Sequence, residues 1–203
     1  MAVTSAQKEN ISVKDICFSG NGEPTLSPAF ADALTLSEKI RAEAAAGAKL
    51  VVITNGTGLL QERIFTLLKN AASSPALDIW LKLDAGTDDW YQKMNRCALP
   101  YEKLIKRIKE FTACATVTIQ TMLCAIGGEK PPETEARAWE ALVCALAANS
   151  GRVRKVQLYG KARSAPEDPL ASQLPPEFLE KRAVCLRGKF AEKDIKTPVE
   201  IYI

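Results

Sequence analysis

Six short apolar runs recur along this chain, and the segments between them place apolar residues at helical spacing. That alternation restricts the fold more than any other feature. The runs are Val13–Ser19, Lys49–Thr54, Asp78–Asp84, Thr116–Met122, Lys155–Tyr159 and Val199–Ile203. Between them, Leu60, Ile64, Leu67 and Leu68 share one helical face, as do Leu104, Ile105, Ile108 and Phe111. Trp139, Leu142, Val143 and Leu146 mark a third helix, closed by Asn149-Ser150-Gly151, and Phe178, Leu179, Ala183 and Leu186 a fourth. Repeated strand–helix–strand units predict an α/β fold, a parallel sheet with alternating helices and right-handed crossovers. The unbroken run Leu50-Val51-Val52-Ile53 predicts a strand covered on at least one face. A chain of 203 residues is long enough for a substantial core, and one domain over 1–203 is expected, with a polar tail at 1–10. The Pro-rich stretch Ser164 to Pro176 reads as a long loop inside that domain.

The first strand runs into Phe18-Ser19-Gly20-Asn21-Gly22-Glu23-Pro24-Thr25-Leu26, a glycine-rich turn carrying one carboxylate. Ser27-Pro28 follows, which predicts a helix N-cap with proline at the first helical position. In α/β proteins such a turn lies where ligands bind. Glycines let the backbone approach a ligand closely, and Glu23 can accept hydrogen bonds from an amine.

Composition excludes several chemistries. Histidine is absent, which removes the Ser-His-Asp triad and ordinary His-containing zinc sites. Of six cysteines, the closest pair in sequence, Cys114 and Cys124, is ten residues apart, so no clustered thiolate motif exists. Cys17, Cys144 and Cys185 read as small core residues. A net charge of +3 does not by itself argue for a nucleic-acid or membrane partner. No apolar run reaches membrane-spanning length and the first residues lack a signal-peptide core, so a cytoplasmic location is expected. A P-loop is excluded because no Gly-Lys-Ser/Thr follows the glycines, and a dinucleotide fingerprint lacks its third glycine and its acidic residue after the second strand.

Polar and glycine residues follow five strand runs in turn. They are Ser19 to Glu23, Thr54-Asn55-Gly56-Thr57, Lys82-Leu83-Asp84, Gln120 to Met122, and Tyr159-Gly160-Lys161-Ala162-Arg163. A parallel sheet would gather these groups on one edge. Each also has a plainer reading. Thr54-Asn55-Gly56 fits a simple turn, Asp84 a cap for a helix starting near Thr87, and Lys161 and Arg163 solvated charges.

The Gly20-x-Gly22-Glu23-Pro24 turn resembles that of the radical S-adenosylmethionine (SAM) superfamily. Thr54-Asn55-Gly56 after the second strand resembles the same family. Leu83-Asp84-Ala85 followed by Asn95-Arg96, and Gln157-Leu158-Tyr159 with Arg163 and Pro166, resemble its iron–sulfur oxidoreductase subgroup, which includes wyosine-forming and molybdenum-cofactor enzymes. The resemblance implies an incomplete (β/α)6 partial TIM barrel. It implies SAM binding by Gly20, Asn21, Gly22, Glu23 and Pro24, with Thr54, Asn55 and Asp84 near ribose or substrate, and Met122 and Tyr159 flanking adenine. Arg96, Lys161 and Arg163 would contact substrate. In that family a [4Fe–4S] cluster reduces SAM to methionine and a 5′-deoxyadenosyl radical. The cluster's Cys-x-x-x-Cys-x-x-Cys is absent from this sequence, as is the family's first strand. The chain is therefore expected to be the C-terminal part of a longer protein, or else a degenerate stand-alone SAM-, nucleotide- or partner-binding module. Either way, Val13–Ser19 would form an unpaired edge open to oligomerisation. Lys106, Arg107, Lys109, Arg152, Arg154 and Lys155 leave an RNA substrate open beside the plainer reading of solvated faces.

Overall fold

A computed structural model of the chain describes residues 2–20, 22–96, 99–150 and 152–202. Parallel strands alternate with helices, as the periodicity predicts. Backbone contacts divide the chain into two units, Met1–Trp80 and Leu81–Ile203, and the chain passes from one to the other within a single strand.

The first unit contains α1 (Ala2–Lys8), β1 (Asp15–Phe18), α2 (Phe30–Ala44), β2 (Lys49–Thr54), α3 (Glu62–Ala71) and the start of β3 (Leu77–Lys82). β1 pairs in parallel with β2, Asp15 opposite Lys49 and Phe18 opposite Val52. On the other side of β2, the Leu50 N–H donates to the Ala76 carbonyl just before β3. Leu50, Val51 and Val52 are buried in succession, as their unbroken apolar run predicts for a covered strand. α3 buries Ile64, Phe65 and Leu68 on one face, each such side chain contributing about 1.5–3 kcal/mol.

The start of α2 differs from expectation. Pro24–Leu26 first form a short 3-10 turn, and the helix proper begins at Phe30, two residues later than a Ser27 cap would place it. Ser27 is extended, the conformation favoured before a proline. No side chain caps α2.

The second unit contains the end of β3, then α4 (Asp88–Asn95), α5 (Tyr101–Thr112), β4 (Val117–Ala125), α6 (Glu133–Ser150), β5 (Val153–Gly160), β6 (Ser172–Gln173), α7 (Pro176–Glu192) and β7 (Val199–Tyr202). β4 and β5 are parallel, with Ile119 opposite Val156 and Met122 opposite Tyr159. β5 and β7 are parallel, with Tyr159 opposite Tyr202. β6, inside the Pro-rich stretch, adds two antiparallel residues against Cys124 and Ala125. The Leu83 N–H, just past β3, donates to the Gln120 carbonyl of β4.

Leu104, Ile105, Ile108 and Phe111 of α5, and Trp139, Val143 and Leu146 of α6, are buried as their spacing predicts. On α7, Leu179, Ala183, Leu186 and Phe190 are buried, whereas Phe178 is half-exposed. The Trp139 indole N–H reaches both the Leu83 carbonyl and the Thr121 hydroxyl at 3.1 Å. One buried charge carries no sequence signal. Arg182 of α7 is 1% exposed and its Nη1 donates to Glu140 and Glu133, each at 3.2 Å.

Glu135 of α6 is also buried, and its carboxylate accepts from the Gly86 N–H and the Thr87 hydroxyl. Gly86 packs so closely on α6 that a Cβ there would sit 2.0 Å from the Trp139 nitrogen. That neighbour is backbone and cannot swing away. Gly86→Ala is expected to destabilise the protein by about 3 kcal/mol or more, read from urea unfolding. Burial raises the Glu135 carboxyl above its ordinary value near 4.5, against the opposing effect of its two donors. The protonated form is therefore favoured by folding. Its stabilising contribution is full below the ordinary value and is lost as pH rises through the folded one. As pH rises above about 4.5 the wild type is expected to lose stability relative to Glu135→Gln, whatever the offset between them; parallel curves would contradict this.

Candidate functional site

Two polar clusters stand at strand ends, one in each unit. In the first unit the turn after β1 has little to hold it except Glu23. Gly22 has φ +116°, a region L side chains avoid, which explains the glycine. Asn21 lies outside the described residues. The Glu23 carboxylate folds back over the turn. Its Oε1 accepts from the Thr25 N–H at 3.1 Å, from the Thr25 hydroxyl, and from the Thr54 hydroxyl at 2.7 Å. Its Oε2 accepts from the Asn55 N–H at 2.7 Å. Pro24 opens the 3-10 turn that Glu23 caps.

The end of β2 is organised in the same way. The Thr54 hydroxyl accepts from the Gly56 N–H at 3.0 Å, and Asn55 Oδ1 accepts from the Thr57 N–H at 2.9 Å and its hydroxyl at 2.7 Å. Thus Thr54-Asn55-Gly56 does form the turn that its composition suggests. It also carries the donors that hold Glu23. A carboxylate offers about four acceptor positions. Among the described residues, three donors converge on Oε1 and one on Oε2, so Oε2 keeps a position for an external donor. Thr25, 1% exposed, was not signalled by the sequence. A Cβ at Gly58 would lie 2.0 Å from its hydroxyl, so Gly58 is what admits it.

In the second unit, Asp84 stands just past β3. It is not the cap of α4. Thr87 takes that place, accepting from the Trp90 N–H at 3.3 Å. Asp84 instead accepts from the Met122 N–H at 2.7 Å through Oδ1 and pairs with Lys82 at 2.9 Å through Oδ2. Tyr159 is opposite Met122 in the β4–β5 register. The Asp84 charge holds the Lys82 ammonium above the usual lysine range, against the opposing effect of burial. Burial raises the Tyr159 phenol, the Asp84 charge raises it further, and Lys82, which hydrogen-bonds it, works the other way. The Cys124 thiol is pushed up to about 11, mainly by burial, so it is a poor thiolate at neutral pH.

Met122, Arg96 and Lys161 line one cavity of about 260 Å3, together with Met94, Cys124 and Asp168. Arg96 ends α4 in the left-handed conformation, with φ 48°, its guanidinium 3.9 Å from Asp168. Lys161 donates to the Arg163 carbonyl, and the Arg163 side chain is exposed. Of the scattered basic residues, Arg107 pairs with Glu110 at 2.8 Å and Lys155 with Glu200 at 3.0 Å.

Among the described residues, no three His, Cys, Asp or Glu side chains are grouped to hold a metal ion. Cys17 is exposed on the edge strand β1, Cys124 and Cys144 are buried, Cys114 and Cys185 are half-buried, and Cys97 lies outside the described residues. The thiols described here do not fit an iron–sulfur cluster. No helix among the described residues is long and apolar enough to cross a membrane.

No protein-family model and no curated protein matches the sequence. Solved structures do. A radical SAM methyltransferase from Sphaerobacter thermophilus is 17% identical with a TM-score of 0.67, over 99% of this chain and 54% of that one. Streptococcus suis SuiB bound to S-adenosylmethionine is 13% identical with a TM-score of 0.69, over 100% of this chain and 42% of that one. The fold is that of radical SAM enzymes. Archaeal TYW1 shares it at 17% identity and a TM-score of 0.55, over 93% of this chain and 58% of that one. The chain therefore spans about half the length of these proteins, and the parallel α/β architecture expected from the resemblance stands.

Removing the Asp84 charge removes one of the effects that raise the Tyr159 phenol and leaves burial as the main one set against Lys82. In Asp84→Asn the Tyr159 resonance, assigned by Tyr159→Phe, is expected to titrate at lower pH than in wild type in a carbon-13 tyrosine NMR titration. An unmoved or raised midpoint would show that Asp84 does not act on the phenol.

Proposed function

We propose that this chain binds S-adenosylmethionine through the turn Gly20–Pro24 and belongs to a protein of the radical SAM type. The observation that carries the reading is the Glu23 carboxylate, tied to Thr54 and Asn55 in a way that fixes a glycine-rich turn at the end of β1. Similarity in fold to SuiB, whose structure holds S-adenosylmethionine, supports it. The backbone of Gly20 and Gly22 and the open position on Glu23 Oε2 would receive the methionine amino and carboxylate groups. Arg96, Lys161 and Arg163 would serve substrate rather than SAM, and Met122 and Tyr159 would flank the adenine.

The cysteine pattern favours a second reading. With no two cysteines closer than ten residues, this sequence does not supply three neighbouring thiolates. Cluster-dependent radical formation would then need ligands from outside these 203 residues. Without them, the chain is a SAM- or nucleotide-binding module that performs no radical step.

Titration calorimetry with SAM tests the shared part of both readings. Saturable one-to-one binding is expected, weakened at least about tenfold in Glu23→Ala, or about 1.4 kcal/mol. Equal binding by both proteins, with unchanged thermal melts, would remove Glu23 from the site. Anaerobic iron and sulfide reconstitution tests the cysteine argument: no stoichiometric cluster is expected on these 203 residues, and a stoichiometric, SAM-responsive cluster spectrum would overturn it.

A further inference from the structure

The cavity at the ends of β4 and β5 has a chemical character that narrows its ligand. Its walls include the thioethers of Met94 and Met122 and the thiol of Cys124, which is held protonated and behaves as a small apolar group. Thioethers are flexible and polarizable, so they accommodate a compact apolar body of varied shape.

The charges are more selective. Lys93, Arg96 and Lys161 line the cavity together with Glu167 and Asp168. Much of this set is already engaged. Lys93 pairs with Glu129 at 3.3 Å. Asp168 accepts from the Gly127 N–H at 2.9 Å and the Leu170 N–H at 3.2 Å. Arg96 stands 3.9 Å from Asp168, too far for a hydrogen bond, which leaves its forked donors available. Lys161 donates only to the Arg163 carbonyl and has no carboxylate partner among the described residues. A half-buried ammonium with no carboxylate partner among the described residues, next to an apolar wall, matches a single negative charge on an apolar body.

We propose that this cavity binds a small monocarboxylate with an apolar body, its carboxylate held by Lys161 and Arg96 and its body against Met94 and Met122. This names the substrate class for the function proposed above and rests on that reading. A volume of about 260 Å3 suits a molecule of roughly ten non-hydrogen atoms.

The test uses the whole chain with methyl-labelled methionine, since two of its three methionines line the cavity. The probes are 3-phenylpropionate, octanoate, and their neutral amides, titrated with and without SAM. Saturable shifts of the Met94 and Met122 methyl signals are expected for at least one acid, with its amide at least about tenfold weaker. Lys161→Met, a half-exposed position, should bring acid and amide within about threefold of each other while the amide affinity stays. Binding of neither acid, equal binding of acid and amide, or an undiminished preference in Lys161→Met overturns the proposal. SAM titrated into the same samples keeps the two conclusions apart. Loss of the acid preference with SAM binding intact sinks only this inference. Acid binding without SAM binding sinks the proposed function and leaves a carboxylate site.

Discussion

A single carboxylate organises the end of the first unit. The segment from Gly20 to Pro24 has two glycines and a proline, so it can bury almost nothing to hold itself in place. Glu23 supplies what the side chains around it lack. By accepting the Thr25 N–H, both threonine hydroxyls and the Asn55 N–H, it fastens the β1 turn to the β2 turn across 32 residues of sequence. Charge-assisted hydrogen bonds of this kind are each worth about 1.5–3 kcal/mol. That strength allows a glycine-rich loop to keep one shape while its backbone stays close to the surface.

The same device recurs in the second unit with other carboxylates. Asp84 accepts the Met122 N–H, Glu135 the Gly86 N–H, and Asp168 the Gly127 N–H. Each acceptor fixes a backbone donor in or beside a loop at a strand end, where the sheet ladder no longer satisfies it. Three are further tied to a cation or a hydroxyl: Asp84 to Lys82, Glu23 to two threonines, and Glu135 to Thr87. Positions that composition marks as ligand-binding are thus positions where the protein spends its own carboxylates on its backbone.

The elements were largely legible because their periodicity is strong. β2 has the bounds its apolar run suggests, and the buried faces of α3 and α5 follow the spacing of their leucines, isoleucines and phenylalanines. What was not legible depends on contacts between distant segments. Nothing local marks Arg182 as buried, because Glu140, its buried partner, lies on another helix. β6 is two residues long in a proline-rich stretch and exists only because β4 runs on to Ala125 beside it. The role of Thr25 depends on Gly58, 33 residues away, having no Cβ. The start of α2 moved because Glu23 captured the preceding residues into a 3-10 turn of its own.

Motif residues and ligand residues are therefore separate questions in this chain. Glu23 matches a motif whose glutamate is expected near an amine, yet four of the donors it faces belong to the protein. The motif and the internal network do not compete for the same atoms. Oε1 is filled by Thr25 and Thr54, whereas among the described residues Oε2 meets only the Asn55 N–H and keeps a lone pair. A carboxylate fixed on one oxygen and open on the other is better prepared for an ammonium than a mobile one, because its orientation is already determined before the ligand arrives. The internal hydrogen bonds then favour binding indirectly. They hold the charge in place, and Gly20 and Gly22 before it leave room for the ligand to reach it.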